Sequence, residues 1–479
     1  MVSVLEENGS IRKQNRTEEL LFKIKEGTEM SFSQQLKLVL YLSIPAVMAQ
    51  ITSIIMQYID ASMVGRLGAA KSASIGLVSS STWLFGGLCT AVTAGFTVQV
   101  AQLIGAGKEK EARAVLRQAL LVTMLFSVFL TMIGTAVSFP LPGWLGAEDA
   151  VRGDATHYFR IYIFSLPAIQ LSLLAGGMLQ CSGNMRTPSL LNILMCGMDV
   201  MFNALLIFPS HSLSVFGHMV MVPGAGLGVA GAALGTAIAE CVTAVLMLRA
   251  LIFRSPSLDI RKETGWKIDR ECMKKAVRIA VPVGCEHALM SGAMVVSTRI
   301  VAPLGTIAIA ANSFAVTAES LCYMPGYGIA DAAATLVGQS LGAGRRELVR
   351  RFSHLTVYLG MAVMAVTGAV MFLAAPFMLA LLTPEPEIRQ LGVHVLRIEA
   401  FAEPLFAASI VVSGALRGAG DTLIPSIMNF VSIWFVRLTL AAYLSVSFGL
   451  TGVWIAMCIE LCFRGVIFLF RLRGERWMK

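Results

Sequence analysis

Twelve windows of about 20 mostly apolar residues, each long enough to cross the hydrocarbon core of a bilayer, begin near Leu36, Lys71, Ala114, Thr156, Ser189, Gly226, Met273, Ile307, Phe352, Val393, Leu423 and Leu450. Together they consume most of the 479 residues, of which 56% are hydrophobic and 14% charged. The mean hydropathy of +0.73 lies far above that of a soluble domain. The connections are mostly short turns, leaving no room for a water-soluble catalytic domain. The chain also lacks an HExxH motif, so it is expected not to be an enzyme. It is expected to be all-α and integral to a membrane.

A net charge of +9 would fit a nucleic-acid binder, but the basic residues flank the apolar windows. Lys108, Lys110, Arg113 and Arg117 lie between windows 2 and 3, and Arg261, Lys267, Arg270, Lys274, Lys275 and Arg278 between 6 and 7. Arg345, Arg346, Arg350 and Arg351 follow window 8, and Arg471, Arg473, Arg476 and Lys479 follow window 12. All fall on one side of a twelve-span path. By the positive-inside bias that side, with both termini, is cytoplasmic in a plasma (inner) membrane. The charge then reads as topology and attraction to membrane lipids, with no nucleic-acid partner. The polar first 30 residues lack the apolar core of a secretory signal and read as a cytosolic leader. The nine cysteines contain no CxxC pair and read as small packing residues.

The chain repeats itself. Pro45 matches Pro282, Gly68 matches Gly305, "AQLIGAG" at 101–107 matches "GQSLGAG" at 338–344, Pro167 matches Pro404, and Gly183 and Pro188 match Gly420 and Pro425. Every pair is separated by 237 positions. Beyond the fifth window the offset falls to 221, matching Gly228 with Gly449, so the first half carries 16 extra residues, read as a linker around His211 to Pro223. Each half holds six spans and therefore enters from the same side, which relates the halves by an axis along the membrane normal. The expected architecture is two pseudo-symmetric six-helix bundles around a central cleft, able to open to either side by rocking. The division follows: 1–35 leader, 36–253 first lobe, 254–272 cytoplasmic linker, 273–479 second lobe and tail. One such chain suffices as a functional monomer.

Ionisable residues inside a membrane are expensive and become functional candidates by default. Here they are mainly acidic: Asp60, Asp199, Glu240, Glu286, Glu319, Asp331, Glu399, Glu403 and Glu460, against Arg299, Arg437 and Arg464. Such an interior favours cations. Asp199 and Asn203 stand four apart on one helical face. With Asp60 and the Thr236 hydroxyl they offer oxygens that can replace the hydration shell of sodium or hold a proton between two carboxylates. The competing reading is hydrogen bonding between helices as packing glue. Glu460 and Arg464, spaced i and i+4, read as a structural pair, and Arg437 is expected to find a partner in its own bundle. His211 and His218 lack the further ligands of a metal site.

"YIDASMVGRLG" at 58–68, "ESLCYMPGYGIADAAATLVGQSLGAG" at 319–344, "GALRGAGDTLIP" at 414–425 and "WFVRLTLAAYL" at 434–444 together resemble the MATE (multidrug and toxic compound extrusion) family of transporters. The resemblance covers nearly the whole chain after residue 36. It implies export of organic cations and drugs against an inward flux of Na+ or H+, with no cofactor beyond the coupling ion. It also implies an ion site in the first lobe, Asp60 matching the family's first-helix aspartate and Thr236 its sixth-helix hydroxyl. The family's fifth-helix pattern places asparagine first and an acid or asparagine four residues on, whereas here Asp199 precedes Asn203. The tenth-helix aspartate of the NorM-like branch has no counterpart in "PLFAASIVVSGALRG". Glu286 and Glu319 are then candidates for substrate or protons, against interhelical hydrogen bonding. The alternative function is a lipid-linked precursor flippase or exporter of another metabolite, against which the acid-rich interior argues.

Overall fold

A computed structural model describes residues 16–215, 218–262 and 269–478. Helix α1 (16–26) is followed by α2 (Phe32–Gly65), α3 (Ala69–Gly105), α4 (Glu109–Val137), the single turn α5 (Leu141–Trp144), α6 (Asp149–Cys181), α7 (Arg186–Ile207) and α8 (Gly228–Arg254). The second half contains α9 (Arg270–Val301), α10 (Thr306–Gly342), α11 (Arg346–Leu382), α12 (Pro386–Glu399), α13 (Glu403–Ala419), α14 (Leu423–Val431) and α15 (Leu438–Arg473). In hydrocarbon a backbone must satisfy its own hydrogen bonds, which is why nearly every crossing segment is helical. Helix starts are capped where the chain is polar. Ser31 and Gln34 exchange side-chain and backbone hydrogen bonds at α2, and the Asp269 carboxylate accepts from the Glu271 and Cys272 amides at α9.

Among the described residues, ten helical runs are long and apolar enough to cross a membrane. Two local departures reconcile this number with twelve spans. The run Leu423–Arg473 holds two spans that fold back at Gly449, whose backbone (φ 57°, ψ −138°) is non-helical. The window near Val393, expected as one helix, is instead broken into α12 and α13 around Phe401 and Ala402. Pro404, in the first turn of α13, has no amide to donate to the carbonyl of Ala400. A π-helical turn at Ser432–Arg437 joins α14 to α15. The extra residues of the first half, expected as a linker, form an antiparallel hairpin, β1 (Pro209–Val215) with β2 (His218–Ala225). The linker between the halves lies partly outside the described residues.

The duplication is present in the backbone. Glycines at matched positions share left-handed dihedrals: Gly68 and Gly305 at φ 109° and 96°, Gly107 and Gly344 both at 72°, Gly183 and Gly420 at 91° and 87°, Gly228 and Gly449 both at 57°. Six spans pack into each lobe. Phe96, Leu116, Leu174 and Met178 are among the buried centre of the first lobe, and Met371, Leu379, Leu396 and Trp454 of the second.

The lobes touch through α2 against α10, α3 against α9, and α3 against α10. The approach is backbone to backbone at the end bearing the basic loops. A Cβ on Gly105 would fall 2.0 Å from the Gln339 carbonyl oxygen, and one on Gly342 would fall 1.8 Å from that of Gln102. At the opposite end a Cβ on Gly68 or Gly305 would meet nothing within 4 Å. The carboxy-terminal parts of α3 and α10 are buried while their first turns are exposed. The molecule is thus closed at its basic end and parted at the other.

Glycine-mediated contacts within a lobe make a direct prediction. Gly414→Val in α13 would bring a side chain within 2.5 Å of the Ala330 carbonyl oxygen and is expected to cost about 1–3 kcal/mol through overpacking. Gly197→Ala, whose Cβ meets nothing, is expected to leave thermal stability in detergent unchanged or slightly raised. Equal melting temperatures for the two variants would contradict this packing.

Candidate functional site

The first lobe gathers three of its four candidates directly. Asn203 on α7 donates through Nδ2 to Asp60 Oδ1 on α2 at 2.9 Å and to Asp199 Oδ2, one turn earlier on α7, at 3.1 Å. Asp199 and Asn203 are fully buried, while Asp60 is half-buried. Thr236 on α8 lies beside Asp199, and its hydroxyl donates to the Ala232 carbonyl at 3.2 Å. Helix α8 comes this close because Gly231 and Gly235 face α7. A Cβ on Gly231 would sit 2.4 Å from the Leu206 carbonyl oxygen, and one on Gly235 would sit 2.1 Å from Asn203 Oδ1. The small-residue stripe therefore sets the depth of the site as well as the helix packing.

The chemistry is unbalanced as it stands. One neutral amide bridges two carboxyl groups, and the outer acceptors Asp199 Oδ1 and Asn203 Oδ1 are buried without a hydrogen-bond partner. Two carboxylates inside a bilayer require positive charge, as a proton or as a small cation completed by neutral oxygens. Asn203 Oδ1 and the Thr236 hydroxyl are such oxygens. Glu240 on α8 and Tyr158 on α6 also lie within electrostatic reach of Asp199. Sequence reasoning placed Glu240 among the intramembrane acids without joining it to the site. Its spacing of four from Thr236 was the available signal, since it sets both on one face of α8.

The second lobe lacks this arrangement at the matched positions, where Ser297, Val436, Leu440 and Met457 stand. Its polar residues form other structures. Both carboxylate oxygens of Glu286 are occupied, Oε2 by the Ser426 hydroxyl and Oε1 by the Asn429 amide, each at 2.7 Å, which ties α9 to α14. Glu460 is held by Arg437 at 2.7 Å, by Arg464 at 3.2 Å and by the Ser432 hydroxyl at 2.5 Å. The π turn delivers Ser432 and Arg437 to the same carboxylate. Glu319 is nearly buried on α10 within electrostatic reach of Glu399, Glu403 and Arg437. Glu399 and Glu403 flank the break in α12–α13, and none of their carboxyl oxygens has a hydrogen-bond partner. The lobes are joined near both acid groups by the Tyr58 hydroxyl, which donates to the Thr317 carbonyl at 2.5 Å. These two residues stand two positions before Asp60 and Glu319 respectively.

Gly235→Ala tests whether this geometry matters. Alanine favours a helix interior by about 1 kcal/mol over glycine, yet its Cβ would displace Asn203 from between the aspartates. Thermal stability is expected to hold while ion-driven transport in proteoliposomes falls about fivefold, the scale of a typical coupling free energy. Unchanged transport would show that the bridging amide is packing only.

A model of the MatE family matches residues 45–205 and again 282–443, two stretches beginning 237 positions apart. The chain is 26% identical over 443 residues to the probable multidrug resistance protein NorM of Thermotoga maritima, covering 91% of this chain and 92% of that one. Its fold matches a multidrug resistance MATE family transporter solved in an outward-facing conformation, with a TM-score of 0.83 at 21% identity, over 92% of this chain and 95% of that one. It also matches a MOP superfamily transporter from Pyrococcus furiosus, with a TM-score of 0.83 at 20% identity and the same coverage. With the family model covering more than half of its length in two repeats, the chain belongs to the MATE family of membrane transporters.

Proposed function

We propose that the protein is a secondary active antiporter that exports organic cations and drugs, with Na+ or H+ entering in exchange through Asp60, Asp199, Asn203 and Thr236. The observation that carries this reading is the Asn203 amide shared between two carboxyl groups from different spans, with buried acceptors left over beside it. The NorM-named relative supports drug efflux as the transported class. The basic end faces the cytoplasm of a plasma (inner) membrane with both termini, and a single two-lobed chain in contact with membrane lipids is the working unit. No enzymatic step is required.

Transport proceeds by rocking one lobe against the other. Coupling requires the ion and the drug to favour opposite states, since a ligand shifts an equilibrium only through its differential affinity. Asp60 is half-buried on α2, a helix that packs across the lobes on α10. Its charge state is therefore placed to bias the closure. Neutralising the site relaxes the repulsion between Asp60 and Asp199 and lets α2 and α7 draw together, and losing the ion reverses this. An organic cation is drawn by the same acidic interior and competes with the ion.

Efflux of a fluorescent organic cation from proteoliposomes, under a sodium gradient and a pH gradient imposed separately, tests this reading. One gradient is expected to drive wild-type efflux, and Asp60→Asn is expected to reduce it at least about tenfold, equivalent to about 1.4 kcal/mol of lost coupling. Full gradient-driven efflux in the Asp60→Asn variant would refute the site. Lipid movement without dependence on either gradient would favour a flippase.

A further inference from the structure

Helix α1 lies against both lobes at their closed end. Leu20, Leu21 and Ile24 are buried in one apolar cluster with Leu38 of α2, Met185, Ala332 and Leu336 of α10, and Leu348 and Phe352 of α11. On the second-lobe side, Arg345 donates through Nη1 to the Lys23 carbonyl at 3.2 Å and the Thr28 carbonyl at 2.7 Å. On the first-lobe side, Lys25 pairs with Glu109 at 3.5 Å, and Leu21 fills the hollow at Gly183, where a Cβ would fall 2.1 Å from Leu21 Cδ1. A cavity of about 360 Å³ lined by Phe22, Lys25, Tyr41, Arg186 and Gln339, among others, lies between part of α1 and the first lobe. The apolar cluster draws on both lobes, through Leu38, Val39, Leu42 and Met185 of the first and Ala332, Leu336, Leu348 and Phe352 of the second.

Beneath α1 runs one of two hydrogen bonds that cross between the lobes in a symmetric pair. Gln339 Nε2 of α10 donates to the Cys181 carbonyl at 2.7 Å, and Gln102 Nε2 of α3 donates to the Gly418 carbonyl at 3.3 Å. Donors and acceptors are each related by the same offset of 237. Both carbonyls belong to helix ends that precede the left-handed glycines Gly183 and Gly420, so each lobe offers a terminal carbonyl that its own helix does not use. Leu21 sits in the hollow of Gly183, the same turn whose Cβ position would lie 3.8 Å from Gln339 Nε2. The helix thus covers the Gln339 bond and holds the turn that accepts it.

We propose that Gln102 and Gln339 are the latch residues of the basic-end closure and that α1 is a clasp across both lobes on the Gln339 half, which must loosen before this end opens. The inference rests on the rocking mechanism above, but assigns the hold on one state to named residues away from the ion site. Because α1 is packed on both lobes, opening of this end has to break its contacts with one of them, and the Leu21 contact at Gly183 and the Lys25–Glu109 pair are contacts that hold it to the first.

The test is a spin-label distance across the basic end in full-length protein with its native cysteines replaced, using Lys110→Cys and Glu347→Cys, an exposed pair at the same offset. Measurements are made in nanodiscs with Na+, at low pH, and with an organic cation. Leu21→Glu and, separately, Gln339→Ala are expected to enlarge the long-distance population about tenfold relative to the parent, equivalent to about 1.4 kcal/mol. Lys25→Glu is expected to act in the same direction, and adding Glu109→Lys is expected to restore the parent distribution, a rescue that misfolding would not show. If the parent lengthens with ligand but Leu21→Glu and Lys25→Glu match it, the clasp is wrong and rocking stands. If Gln339→Ala and Gln102→Ala match it too, the latch is wrong as well. A distance fixed in every protein and condition would overturn rocking and the clasp together.

Discussion

In hydrocarbon, an unpaired backbone amide or carbonyl costs several kcal/mol, and that constraint shapes nearly everything else in this protein. It forces the crossing segments into helices and leaves side chains as the only means by which helices can differ. Where two helices must approach closely the side chain is removed, as at Gly105 against Gln339 and Gly342 against Gln102. Where a helix must stop or turn, glycine takes a left-handed conformation, at positions repeated in both halves. Among the described residues a hairpin occurs only in the connection between α7 and α8, where it does not have to cross.

Against this common frame the lobes have diverged in their polar contents. The first concentrates two aspartates around one amide, with acceptor atoms unfilled. The second distributes its acids differently. Glu286 and Glu460 are fully engaged by neighbours, whereas Glu399 and Glu403 lie buried at the α12–α13 break. A buried carboxyl group already met by its neighbours is satisfied as it stands, whereas one without a partner favours a proton or a cation; such groups occur in both lobes, at Asp199 in the first and at Glu399 and Glu403 in the second.

The fold was largely legible in the residues because its signals are long. Twelve apolar windows and a constant offset of 237 constrain lobes and symmetry together. The broken tenth span escaped because its apolar window is continuous and Pro404 mirrors Pro167, which sits inside the unbroken α6. The hairpin escaped because the 16 extra residues showed only as a change of offset. Within the site, Asp199 and Asn203 could be joined by helical spacing, but no spacing rule links Asp60 on α2 to either. Glu240 was within reach of the same logic through Thr236. Glu286 illustrates the limit of the cost argument: an intramembrane acid satisfied by Ser426 and Asn429 looks, in sequence, the same as one that binds an ion.

The central claim is that a charge placed between Asp60 and Asp199 moves the two lobes relative to each other. The most direct measurement is the spin-label distance between Ala70 and Ile307, exposed positions at the parted ends of α3 and α10, followed as the coupling ion and then an organic cation are added. The account predicts opposite shifts for the two ligands in wild type and loss of the ion-dependent shift alone in Asp60→Asn. An ion-dependent shift that persists unchanged in that variant would contradict it.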